Sequence, residues 1–258
     1  MSIPVISAAI VNEPYWLYRL IASIDYPLDN LVIINNNGRG EISQELDNMT
    51  KITHKFIKKI AVCHLPANIG LAGAWNLTIK CYMKSPYWIF VNHDISFSLG
   101  LLKEMAEAAE KNADVGIIFG HGGDFGDGSY DIFLIKDWVI QSHGLFDENF
   151  YPAYCEDMDY IMRLKGRPVK AIKQVGKPYF HGLGTNYYET GESTRKSDPS
   201  LEDKLMNARV LNIEYLTKKW GDGWRMSTPY LDPFNNANVP LTFVHYDLEF
   251  VRKKHLGF

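Results

Sequence analysis

Three stretches of this chain gather side chains that can hold a cation or move a proton. The first is Val91-Asn92-His93-Asp94-Ile95, in which a carboxylate directly follows an apolar run. A carboxylate at a strand end can hold a divalent cation, and one or two such ligands suffice when a bound diphosphate supplies the rest. The competing reading is that Asp94 caps the next helix. The second stretch is Glu156-Asp157-Met158-Asp159, three acids crowded at a helix start. Acids are favoured there by the helix dipole alone. One of them could also take the proton from an attacking hydroxyl, since neighbouring carboxylates push one pKa upward. Asp159 and Arg163, four apart, read as a surface ion pair. The third is His181, after an apolar Tyr179-Phe180, which could complete a metal shell or contact a phosphate. His93 and His121 have weaker claims of the same kind.

These residues have to be positioned by something, and the apolar pattern supplies it. Apolar runs at Val5–Val11, Leu31–Ile34, Ile60–Leu65, Trp88–Val91 and Val115–Phe119 read as strands. Between them, helical spacing covers Tyr15–Ile24, Gly70–Met83 and Leu99–Lys111. Strands apolar throughout, alternating with helices, belong to a mostly parallel sheet flanked by helices on both faces. Ligands of such sheets bind at the carboxyl ends of the strands. The polar groups there are Asn12-Glu13, Asn35 to Asn37, Asn68 and Asn92 to Asp94, so all should face one crevice. After residue 120 come a glycine-rich loop (120–128), a strand at Tyr130–Ile135, and helices at Lys136–Ser142 and Glu156–Leu164. A strand at Val169–Val175, a polar segment (182–200) and a helix at Leu201–Lys219 follow.

Composition sets limits. The 258 residues are 46% hydrophobic and 22% charged, enough for a sizeable core and unlike a disordered chain. With 27 basic and 30 acidic residues the net charge is −3, which does not suit a nucleic-acid partner. The basic run Lys51 to Lys59 reads as the solvated face of a helix. Three well-separated cysteines and no CxxC point to neither a disulfide framework nor a zinc site, hence to a reducing, cytoplasmic setting. No secretory signal and no apolar run near the ~18 residues of a membrane span are visible. The glycine-rich loop lacks the third glycine of a dinucleotide fingerprint, and no phosphate-loop lysine motif occurs.

Several segments together resemble one family. Asn68-Ile-Gly70-Leu-Ala-Gly73-Ala-Trp-Asn76 is similar to the NxGxaxxxN segment of family 2-type glycosyltransferases, including rhamnosyltransferase-like members. Val91 to Ile95 resembles a variant of their DxD metal motif. Gly144-Leu-Phe-Asp-Glu-x-Phe-Tyr, with Tyr154-Cys-Glu-Asp-Met-Asp159 and Arg163, resembles their acidic signature, and a histidine some twenty residues later is common. The resemblance implies a GT-A fold and an inverting displacement on a nucleotide-diphosphate sugar, UDP-sugar first, with a glycan or other hydroxyl acceptor. It implies a Mn²⁺ or Mg²⁺ ion at Asp94 with His181, Asp157 as base, and Glu156 beside it shaping the acceptor site. Donor contacts fall to Asn12, Asn36, Asn68, Gly70, Asn76 and Asn92, with Asn76 opening towards the same pocket. A catalytic domain would span 1–220, its donor half 1–120 and acceptor half 121–220, with an extension (221–258) packed on it. Asn92 replaces the usual first acid of the metal motif, and Asn35 an aspartate after the second strand. These departures keep a non-catalytic nucleotide-sugar or glycan-binding relative open. A sugar nucleotidyltransferase would need a basic, glycine-rich loop after the first strand, where Asn12-Glu13-Pro14 stands.

Overall fold

A computed structural model describes residues 2–120, 130–165, 169–172, 179–182, 197–222 and 230–241. Among the described residues, seven strands form the main sheet in the order β3-β2-β1-β4-β7-β6-β8: β1 (Ile3–Ile10), β2 (Leu28–Asn35), β3 (Ile57–His64), β4 (Tyr87–Asn92), β6 (Val115–Phe119), β7 (Ile132–Lys136) and β8 (Lys170–Ile172). Only β7 runs against the others, pairing antiparallel with both β4 and β6. Two short strands, β5 (Ile95–Phe97) and β9 (Tyr179–His181), make a separate antiparallel ribbon. The mostly parallel, helix-flanked sheet expected from the sequence is the architecture found.

Side-chain alternation along the strands builds two apolar layers. On one face, Ile6, Leu31, Ile89 and Leu134 pack under α1 (Tyr15–Ser23), α2 (Ser43–Met49) and α4 (Leu101–Lys111). On the other, Val32, Trp88, Phe90 and Phe133 pack under α3 (Gly70–Cys81), α5 (Asp137–His143) and α6 (Glu156–Leu164). Each fully buried aliphatic side chain stabilises the fold by about 1.5–3 kcal/mol, so strands buried on both faces must be apolar on both. A buried polar pair between β1 and α3, Ser7 and Thr78, is satisfied internally by a 2.8 Å hydroxyl contact.

The basic run 51–59 is not a helix face. Lys58 and Lys59 lie exposed on β3, which is the edge strand of the sheet. Lysines there keep an open strand edge from pairing with another chain.

The long helix α7 (Pro199–Trp220) starts where Asp198 accepts hydrogen bonds from the Ser200 and Leu201 amides at 3.0 and 3.2 Å, with proline at the first turn. Its far end packs Leu216 and Trp220 against Phe150, Cys155 and Met162. Residues 230–241 return along it: the Tyr230 amide bonds to the Trp220 carbonyl, and the Phe234 ring lies 6.2 Å from that of Tyr215.

Candidate active site

Strand order reverses between β1 and β4, since β2 and β3 continue to one side and β7, β6 and β8 to the other. A crevice forms outside the carboxyl ends of the strands at such a switch point. Asp94 lies there, two residues past the end of β4. It does not cap a helix: α4 begins after Gly100, whose amide is held instead by Asp25 Oδ2 at 2.6 Å.

Pairing of β5 with β9 sets Ile95 opposite His181, and the Gly182 amide bonds to the Asp94 carbonyl at 3.0 Å. His181 Nε2 therefore stands 3.2 Å from Asp94 Oδ1, both side chains being buried. A third group, Asp131, arrives from the start of the reversed strand β7. Its Oδ2 lies 3.5 Å from His181 Nδ1 and accepts the Tyr179 hydroxyl at 3.1 Å. Burial works against charge on His181, but hydrogen bonds to Asp131 and Asp94 outweigh it and raise its pKa to about 10. Asn92, in place of an acid, donates to Asp131 Oδ1 at 3.4 Å and lies 3.3 Å from His181 Nε2. His93 is buried beside Asp94, and burial pushes its imidazole pKa down.

Among the described residues, no group of three or more His, Cys, Asp or Glu side chains could by itself hold a metal ion. The pair of Asp94 and His181 nevertheless suits a divalent cation whose remaining ligands come from substrate. It offers one carboxylate oxygen and one imidazole nitrogen, with the second ring nitrogen oriented by the Asp131 carboxylate.

Over the ends of β1 and β2 lies an open cavity of about 390 Å³. Asn12, Asn37, Gly38, Arg39 and Asn68 line one wall; Asp198, Ser200 and Lys204 from the start of α7 line another. Asn12 also donates to the Ser197 hydroxyl at 3.0 Å, which ties the end of β1 to the entry of α7. The polar segment 182–200 is described only at its ends, and residues 183–196 and the loop 121–129, with His121, lie outside the described residues.

The other asparagines work from beneath. Asn36 is buried, accepts from the Ile69 amide at 2.8 Å and donates to the Gly70 carbonyl at 3.2 Å, fixing the start of α3. Asn76 does not open towards the cavity. It is 1% exposed, donates to the Phe146 carbonyl at 2.8 Å and accepts the Phe146 amide at 2.9 Å. Its influence therefore passes through the loop 144–150. Gly70 has φ +80°, and a Cβ there would stand 3.1 Å from the Tyr151 ring, so glycine serves the packing of that loop on α3.

Asp157 is half-buried at the first turn of α6, and its Oδ1 accepts the Met158 amide at 2.7 Å. Burial pushes its carboxyl pKa up, and the negative charge of Asp131 adds to that. Asp131 thus stands within electrostatic reach of Asp157 while contacting His181. Glu156 beside it is 5% exposed.

Asp159 and Arg163 correct the surface-pair expectation. Both side chains are 0% exposed and lie 2.7 Å apart. Lys219 from α7 joins Asp159 at 2.6 Å and Asp147 at 2.7 Å, and Trp220 donates to Asp159 at 2.8 Å. The acids of the signature have divided: Asp147 and Asp159 anchor α7, while Asp157 faces the neighbourhood of Asp131.

Sequence reading missed Asp131 and Lys219. Asp131 is the second residue of the expected strand Tyr130–Ile135, but only an antiparallel placement of that strand brings its first residues to the carboxyl end of β4. Asn37 donates to the Val11 carbonyl at 2.6 Å, stitching the ends of β1 and β2.

The fold and the switch-point crevice define a GT-A glycosyltransferase. The chain belongs to glycosyl transferase family 2, whose model matches residues 9–176, and families of this kind transfer sugars. A galactofuranosyl glycosyltransferase from Leishmania donovani is 23% identical, the match covering 93% of this chain and 72% of the relative. Among solved structures, the mannosyltransferase PcManGT from Pyrobaculum calidifontis, in complex with GDP-Man and Mn²⁺, superposes with a TM-score of 0.54 at 14% identity. That match covers 66% of this chain and 54% of the mannosyltransferase, so this chain spans about half its length. TarS of S. aureus (1–349) superposes with a TM-score of 0.51 at 14% identity, over 88% of this chain and 76% of TarS. No helix among the described residues is long and apolar enough to cross a membrane.

Proposed function

We propose that this chain is an inverting glycosyltransferase that moves a sugar from a nucleotide-diphosphate donor to the hydroxyl of a glycan acceptor. The observation that carries the reading is the buried contact of Asp94 with His181 at the carboxyl end of β4, on the same sheet edge as the polar cavity over the ends of β1 and β2. Asp94 and His181 would hold Mn²⁺ or Mg²⁺, which supplies positive charge against the departing diphosphate. Asn12 and Asn68 line the cavity and would contact the nucleoside; Asn36 would support it by fixing the start of α3 at Gly70, Asn76 by holding the loop 144–150, and Asn92 by steadying Asp131.

Asp157 takes the proton from the attacking acceptor hydroxyl. A carboxylate with a raised pKa is better matched to that proton than an ordinary one. Glu156 beside it shapes the acceptor subsite. One base and one departing diphosphate make a single displacement, which inverts the anomeric centre. The GDP-Man and Mn²⁺ in the mannosyltransferase complex support a nucleotide sugar with manganese, UDP-sugars remaining the first to try. The three free cysteines support a cytoplasmic setting. Catalytic duties would fall to 1–220; of the extension, the described residues 230–241 lie along α7.

The test is titration of UDP- and GDP-sugars by calorimetry, with and without Mn²⁺, on the wild type and Asp94→Ala. One donor should bind more tightly with Mn²⁺ in the wild type, by roughly ten- to a hundredfold, as expected for a lost metal ligand or its support. Asp94→Ala should lose that increment. Equal affinity with and without Mn²⁺ in the wild type would overturn the metal assignment. Slow Mn²⁺-dependent donor hydrolysis separates an enzyme from a sugar-binding relative, which should show none.

A further inference from the structure

We propose that Asn212, on α7, is a positioning residue for the proton acceptor: its buried carboxamide clamps the left-handed turn from which α6 and Asp157 emerge. The inference rests on the assignment of Asp157 as the base.

Asn212 is 0% exposed and sits in the middle of a long helix, fifty-five residues beyond Asp157 in sequence (212 minus 157). An amide in such a place costs stability unless its hydrogen bonds are made. Its single Nδ2 donates to two successive carbonyls, Ala153 at 2.8 Å and Tyr154 at 3.0 Å. The residues at and after this pair have unusual backbones. Tyr154 has φ 76° and Cys155 has φ 74°, and neither is glycine. Residues with side chains rarely adopt this conformation, and two in succession persist only where the surroundings over-determine them.

Helix α6 begins directly after this turn, at Glu156, and Asp157 is its second residue. The direction of the turn therefore sets the direction in which the Asp157 carboxylate projects. Packing alone does not call for an amide here. Leu216 and Trp220 already bury the apolar side of the contact, and Lys219 and Trp220 already hold Asp159 farther along α6. What the carboxamide adds is a two-pronged hold on the backbone just before the helix. The same helix lines the donor cavity at its other end through Ser200 and Lys204. Donor cavity and base helix are thus referenced to one rigid element.

The experiment compares Asn212→Leu, which keeps the branched shape and removes the amide that makes both hydrogen bonds, with the double variant Asn212→Leu/Cys155→Gly and with Asp157→Asn. A displacement of about 1 Å at a reacting group can lower the rate about a hundredfold, so kcat of Asn212→Leu should fall roughly 10- to 100-fold with donor KM nearly unchanged. Glycine adopts positive φ without side-chain conflict, so Cys155→Gly in the Asn212→Leu background should recover about tenfold of that loss. A purely structural role would not give this split of kcat from KM, nor rescue at Cys155. Wild-type kcat in Asn212→Leu overturns the clamp, as does a fall in donor affinity matching the fall in kcat. Should Asn212→Leu fail to fold, Asn212→Ser carries the same comparison. An inactive Asp157→Asn beside a fully active Asn212→Leu defeats the clamp alone; an active Asp157→Asn defeats the base assignment, and the clamp's catalytic meaning with it.

Discussion

Asp157→Asn should bind nucleotide sugar as the wild type does and turn it over roughly 10²–10⁴-fold more slowly, the range that a positioned general base contributes. The substitution keeps the side-chain size and leaves an oxygen that can still accept the Met158 amide, now 2.7 Å from Oδ1. The local helix start should therefore survive, and only the capacity to take a proton is lost. The pH dependence of the wild type has a defined sign. Burial, with Asp131 adding, raises the Asp157 pKa. The base works only when deprotonated, so kcat should fall with decreasing pH through a midpoint above the ordinary carboxylate range. Steady-state kinetics across pH, with donor affinity measured separately, checks both statements. Turnover by Asp157→Asn within a few-fold of wild type would remove the base assignment.

The second large effect is on folding. Lys219→Met should destabilise the protein by about 3–5 kcal/mol, as expected when one partner of a buried ion pair is removed and the other is stranded. Against the roughly 5–15 kcal/mol that holds a domain folded, this is close to the whole margin. The reason is the company Lys219 keeps: it is 2% exposed, and two carboxylates, Asp147 and Asp159, lie within 2.7 Å of it. Burial opposes charge on Asp159, but Arg163 and Lys219 outweigh it and hold its pKa below the usual value. A carboxyl depressed on folding contributes stability above its unfolded pKa and loses it as pH falls through the folded one. The gap between wild type and Lys219→Met should thus be widest near neutral pH and narrow below about pH 4, near the unfolded aspartate pKa. Urea unfolding at both pH values measures it. A neutral-pH loss under about 1 kcal/mol, the scale of an exposed pair, would mean the cluster contributes little.

The strand–helix alternation was legible because strands covered on both faces must be apolar throughout. Val115–Phe119 and Glu156–Leu164 coincide with β6 and α6 to the residue. Part of the candidate site was legible for a related reason: carboxyl ends of parallel strands converge, so Asn12 and Asn68, which line one cavity, could be grouped from the sequence. What was hidden depends on pairing across long separations. β5 and β9 are three residues each, too short to show a period, yet their pairing brings His181 to Asp94. The direction of β7 decides where Asp131 falls, and an apolar run carries no direction. Asp159 and Arg163 show the same limit. A spacing of four is alike on a wet face and in a core, and only Lys219 and Trp220, some sixty residues on, make this face a core. Lys58 and Lys59 were misread because lysines suit an edge strand as well as a helix surface.

The most direct measurement of single displacement is time-resolved proton NMR of the sugar released from an α-linked nucleotide sugar, with Mn²⁺ present. Attack from the face opposite the leaving diphosphate predicts that the β-anomer appears first, with the α-anomer growing in later by mutarotation. Initial release of the α-anomer would contradict a single displacement with Asp157 as its base.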